Sequence, residues 1–171
     1  MLVAGLMSPE PRAERPDMPG YGIEASASGM LAWAWAAERL ARSRNYWVAT
    51  TRPDGRPHSA AVWGLWMDDR FLFSSAPSSR KARNLARDPR VVITTEGADE
   101  AVIVEGVAAI NEDAALLRRF VDEYKTKYDW EMTGDEGPIF VVRPERAFGF
   151  IGTQDNPAGR FTETATRWTF A

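Results

Sequence analysis

The 171 residues carry 44% hydrophobic and 26% charged side chains, with no cysteine and one histidine. Such a length suits a single domain that buries about 70% of its unfolded surface and needs no staples. The absence of cysteine excludes disulfides and thiolate chemistry. A formal charge of −3, from 21 Lys+Arg against 24 Asp+Glu, offers no global attraction to nucleic acid or to an anionic membrane. No apolar run approaches the ~20 residues that span a bilayer, and the opening residues lack the basic region of a signal peptide. The expectation is a cytoplasmic protein with no nucleic-acid or membrane partner.

Residues 1–28 hold Pro9, Pro11, Pro16 and Pro19 among charged side chains. They read as a flexible or surface-hugging proline-rich arm ahead of one domain over 29–171. Met30, Trp33, Ala37 and Leu40 follow at helical spacing, and Ser28 is a suitable N-cap, so the pattern predicts a helix over 29–43. Short β runs come next. Asn45–Thr51 and Pro57–Met67 flank an Asp54-Gly55 turn, and Asp68-Asp69 leads into Arg70–Ser75. A short helix over 79–87 ends before Pro89, followed by strands Arg90–Thr95 and Glu100–Ile110. Asn111–Lys127 carries an apolar face of Ala114, Leu117, Val121 and Tyr124 and reads as a second long helix. Ile139–Val142, Ala147–Gly152 and Ala165–Phe170 complete the strands. Many short strands with few helices predict an antiparallel β-barrel with peripheral helices.

Two segments carry chemistry. Ser74-Ser75-Ala76-Pro77-Ser78-Ser79-Arg80-Lys81-Ala82-Arg83-Asn84 runs from a strand end into a helix start. Cations in a first helical turn oppose the helix dipole by several tenths of a kcal/mol each. A phosphate there reverses the sign, accepting bonds from backbone N–H groups, serine hydroxyls, a guanidinium and an ammonium. The plain alternative is a solvated basic helix face with serines as caps. The second segment is His58-Ser59-Ala60-Ala61-Val62-Trp63-Gly64-Leu65-Trp66. Its small residues let a flat ring approach the backbone, with Trp63 and Trp66 as candidate walls, although ordinary barrel packing also accounts for them.

These segments, with Asp88-Pro89-Arg90-Val91, Val104-Glu105-Gly106 and the closing Thr166-Arg167-Trp168-Thr169-Phe170, resemble the pyridoxamine 5′-phosphate oxidase-like, FMN-binding split β-barrel superfamily. The chain is most similar to its actinobacterial flavin and deazaflavin oxidoreductases. The resemblance implies a mainly β split antiparallel barrel and a homodimer with cofactor sites at the subunit interface. It assigns cofactor contact to His58, Ser59, Ala60, Ala61, Val62 and Trp63 along the ring, and to Ser74, Ser75, Ser79, Arg80, Lys81 and Asn84 around the phosphate. The family's glutamine ahead of Val-Glu-Gly is Ala101 here, its strand-end lysine is Trp63, and its basic C-terminal substrate motif has no counterpart. Oxidation of the vitamin phosphate is therefore not expected. The expected activity is reduction of an unsaturated small-molecule acceptor by reduced coenzyme F420. The alternatives are FMN on the same fold or a non-catalytic carrier of either coenzyme. Trp130 stands as a candidate lid over a partner's site.

Overall fold

The computed structural model describes residues 9–153 and 160–171. In chain order these form β1 (Arg12–Glu14), α1 (Trp33–Arg42), β2 (Tyr46–Thr51), β3 (Pro57–Val62), β4 (Leu65–Met67), β5 (Arg70–Ser74), α2 (Arg80–Arg87), β6 (Arg90–Thr95), β7 (Glu100–Ile110), α3 (Ala114–Tyr128), β8 (Ile139–Ile151), α4 (Phe161–Thr164) and β9 (Thr166–Thr169). All strand pairings are antiparallel, in the order β1-β9-β8-β7-β6-β2-β3, with β5 pairing both β4 and β8. The sheet curls without closing, which makes it a split barrel. One of its edges is β3, whose sole neighbour among the described residues is β2.

Alternation along β2, β6 and β7 sends Tyr46, Val48, Ile93, Val102 and Val104 inward, where they meet Phe71, Phe73, Val142 and Trp168. Helix α1 closes this interior with Trp33, Ala36 and Leu40. Helix α3 forms a second apolar layer, packing Leu116, Phe120, Tyr124 and Tyr128 on Leu65, Met67, Leu72 and Ile139.

Three sequence expectations need correction, and a fourth point is an element the reading did not contain. Helix α1 begins at Trp33 rather than 29, and its N-cap is Ala32 without a side-chain bond, not Ser28. The backbone turns at Gly29 (φ +85°), and the carbonyl of Ser28 instead accepts from Arg15 Nη2 at 2.8 Å. Second, Pro57–Met67 is two strands, broken at Trp63-Gly64. Third, the two strands expected around Pro144 are one. A bulge opposite Glu105/Gly106 lets Pro144 sit in β8, where its missing N–H is tolerated. Fourth, α4 was not anticipated.

The arm is anchored from Arg12 onward. β1 pairs with β9, and Glu24 N–H donates to Thr162 O at 3.1 Å. Arg15 donates to the carbonyls of Ser26, Ser28, Glu163 and Ala165 at 2.6–2.9 Å. The part of the expected arm before Pro9 lies outside the described residues.

The break at Gly64 has a visible cause. A Cβ at this position would overlap the Phe71 ring and stand 2.7 Å from Leu72 O. Gly64→Ala is expected to destabilise the fold by about 3 kcal/mol through overpacking, read as a lowered urea midpoint at unchanged m-value.

Gly64 is also held by the end of α3. Its N–H donates to Tyr128 Oη at 2.9 Å, and its carbonyl accepts from Tyr128 Oη at 2.7 Å and from Lys127 Nζ at 3.1 Å. Lys127 also donates to Tyr46 Oη at 2.9 Å. Burial pushes the Lys127 ammonium down to about 8 and the Tyr128 phenol up to about 12. A lysine depressed in the folded state favours folding of its neutral form. Stability is therefore expected to rise with pH between about 8 and the unfolded value near 10.5, relative to Lys127→Met. Urea titrations of both proteins across that window check the slope.

Candidate functional site

The hairpin β2–β3 and helix α2 build the site. Register places Thr50 opposite His58, Ala49 opposite Ser59, and Trp47 opposite Ala61. His58, Ala60 and Val62 face the half-buried side of β3, whereas Ser59, Ala61 and Trp63 are exposed. Helix α2 packs on this hairpin through the buried Asn84, whose Nδ2 donates to Thr50 Oγ1 at 2.9 Å. At the helix's far end, Arg87 Nη2 donates to Arg52 O at 3.0 Å.

The helix start follows the expected pattern. Ser79 is the N-cap, its Oγ accepting from Ala82 N–H at 3.1 Å and lying 2.7 Å from Ser75 Oγ. Ser74 ends β5, half-buried beside the buried Ser75. Ser75 is pressed by Gly137, whose φ of +91° and 2.5 Å spacing from Ser75 O to an added Cβ admit only glycine. The first turn of α2 contains no acidic residue and holds Arg80 and Lys81. Neither cation has a carboxylate within ion-pair distance among the described residues.

The charges of this helix start reach the lone histidine. His58 is held below its ordinary value by burial first, then by the charges of Arg52, Lys81 and Arg80. It is therefore neutral at neutral pH. Burial likewise lowers Lys81. On the hairpin and on α2, Arg52 Nε, His58 Nδ1 and Asn84 Oδ1 are buried without a partner, as are Arg167 Nε and Trp168 Nε1 at β9. Orphaned buried groups of this kind each cost about 1–3 kcal/mol, a cost that a polar ligand at the hairpin would relieve.

Sequence reasoning missed Arg52. Its signal was its place just before the Pro53-Asp54-Gly55 turn, across from Arg56 at the mouth of the hairpin. The two tryptophans considered as walls lie on opposite sides, as strand alternation puts them. Trp63 stacks on Tyr128 (4.7 Å, 8°), with Trp130 edge-on at 6.4 Å and Arg44 above it at 6.0 Å. Trp66 lies past the Gly64 break and packs into the interior against Trp33 at 5.9 Å. Trp130 thus touches Trp63 of its own chain.

The profile described as pyridoxamine 5′-phosphate oxidase matches residues 34–150. The chain belongs to that family. The match covers β2 through almost all of β8, and so contains the entire cation-lined site. No curated protein matches the chain. Among solved structures, a conserved hypothetical protein from Mycobacterium tuberculosis is 28% identical over 71% of this chain and 86% of its own, with a TM-score of 0.62. A structure named F420 reductase is 25% identical over 64% of this chain and 93% of its own, at 0.52. The heme storage protein of Vibrio cholerae, 20% identical over 70% of this chain and 93% of its own, at 0.57, shares the fold. This pyridoxamine 5′-phosphate oxidase family member has, among its described residues, no helix long and apolar enough to cross a membrane.

Proposed function

We propose that the chain is an oxidoreductase using coenzyme F420, and that it reduces an unsaturated organic acceptor. The observation that carries this reading is the α2 start, with Arg80 and Lys81 in its first turn and no acidic residue there, packed on the hairpin where Arg52 Nε and His58 Nδ1 are buried and unpartnered. Those residues fit a phosphate. A guanidinium and an ammonium give charge-assisted bonds, a neutral imidazole donates through one nitrogen, and the α2 N-terminus adds its dipole. Arg83 and Arg87 continue from Arg80 at helical spacing and are exposed, a row suited to further carboxylates on the coenzyme's tail. When bound, the deazaflavin supplies two-electron hydride chemistry, while the protein supplies binding, orientation and exclusion of water. Ser59 and Ala61 leave space along β3 for a flat ring, which Trp63 bounds at one end.

The reading includes a homodimer. Register aligns Ala61, Trp47, Thr94, Ile103 and Phe148 in one row across the outer face of β3, β2, β6, β7 and β8. Trp47 on that face is 48% exposed. A row of this composition is what a second copy would cover. Light scattering at micromolar concentration is expected to give twice the chain mass.

The deciding experiment is paired titration of the purified protein with F420 and with FMN, followed by turnover of reduced F420 against a panel of enones and quinones. Tighter binding of F420, with acceptor-dependent oxidation, is expected. A yellow protein retaining FMN would move the reading to the flavin. F420 binding without turnover on any acceptor would leave a carrier.

A further inference from the structure

Trp63 is 37% exposed, yet its indole is held in place. It follows the last residue of β3, on the face that it shares with Ser59 and Ala61. Its ring lies parallel to that of Tyr128 at 4.7 Å, with Tyr124 and Trp130 at 6.3 and 6.4 Å. Tyr128 is buried and ends α3, and Asp129 after it turns left-handed (φ +53°), just ahead of Trp130.

The phenol of Tyr128 also grips the chain where β3 breaks off. Its Oη accepts from Gly64 N–H at 2.9 Å, and its one proton has two acceptors, Gly64 O at 2.7 Å and Arg44 O at 2.8 Å. Lys127 donates to the same Gly64 carbonyl at 3.1 Å and reaches Ala41 O at 3.4 Å. The end of α3 thus ties the residue after Trp63 to the end of α1 and to the link before β2. Docking of α3 has other support, because Leu116, Phe120 and Tyr124 share a buried cluster with Leu65, Met67, Leu72 and Ile139. What the last turn adds is a fixed plane for one indole at the surface.

We propose that Tyr128 is a positioning residue for the coenzyme ring, acting through Trp63, whose plane it sets before the coenzyme arrives. The inference rests on the reading that a flat ring lies along β3 and meets Trp63 at one end. A wall ordered in advance has no rotamer freedom left to lose on binding, and affinity gains by that amount.

The test sets Tyr128→Phe, which keeps the stacked ring and loses the phenol's bonds, beside Leu116→Ala, which opens a cavity in the same helix's packing. Titration uses F420, or FMN if the protein takes that coenzyme instead. Tyr128→Phe is expected to bind about fivefold more weakly, and Leu116→Ala to stay within about twofold of the unaltered protein. Induced circular dichroism of the bound coenzyme, which reports ring orientation, is expected to change shape in Tyr128→Phe only. In a Trp63→Ala background, loss of the phenol is expected to matter less than about twofold, because its effect passes through the indole. Should Tyr128→Phe not fold, Lys127→Met, which gives up one bond to Gly64 and leaves the stack, is expected to weaken binding about threefold with the same altered dichroism. Unchanged affinity and dichroism, an equal loss in Leu116→Ala, or the same loss without Trp63 would overturn this proposal alone. An unaltered protein that binds neither coenzyme would overturn the reading of the site, and this inference with it.

Discussion

Replacing Arg80 and Lys81 together by alanine is expected to weaken coenzyme binding more than a hundredfold while leaving the fold at least as stable. Each charge-assisted bond to a phosphate is worth about 1.5–3 kcal/mol, so losing two removes several kcal/mol of affinity. In the free protein the same two cations stand in the first turn of α2 without an acidic neighbour in that turn. There they oppose the helix dipole by a few tenths of a kcal/mol each. Calorimetric titration with F420 measures the first effect and urea unfolding the second. A folded double variant of undiminished affinity refutes the assignment. A variant that loses affinity only by losing its fold shows the cations to be structural instead.

Arg15→Ala is expected to cost about 3 kcal/mol of stability, the largest effect foreseen for a surface side chain of this protein. Its guanidinium makes five bonds to four carbonyls drawn from the arm, from α4 and from the approach to β9. Bonds to a charged donor contribute about 1.5–3 kcal/mol when buried and less where water competes, as it does at Ser26 and Ser28. For a chain of this length such a loss lowers the melting temperature by roughly 6–12 °C. Lysine is not expected to rescue the variant, because an ammonium lacks the planar fork that reaches both sets of carbonyls. Limited proteolysis within residues 16–28 gives an independent readout, since cleavage there accelerates only if the segment detaches.

The site was more legible in the sequence than its surroundings. Ser79, Arg80, Lys81 and Asn84 could be placed because a strand end, a cap and a short helix follow one another within a dozen residues, and local pattern determines each. The strands Arg90–Thr95 and Glu100–Ile110 have the predicted bounds, because alternation and bounding turns agree there. The misses share a different cause. Ser28 is a good cap by type, but its carbonyl is taken by an arginine 13 residues earlier. Pro144 predicts a break, but a bulge in β8, with Glu145 as its extra residue, absorbs it. Pro57–Met67 alternates as one strand, but Gly64 must fit beneath Phe71 and the strand breaks there. Arg52 enters the site through the packing of α2 on the hairpin. Each outcome depends on a contact distant in sequence, which periodicity does not encode.

The lone pairing of β3 has a consequence for handling the protein. A ladder with one vacant side is a template on which another chain can add, the first step toward ribbon-like aggregates. Pro57 at its start and the turn-off at Gly64 hold that vacant side to a few residues, which acts as a natural gatekeeper. A flat ligand lying along it would occupy the same backbone groups, so solubility on storage is expected to improve in the presence of the proposed coenzyme.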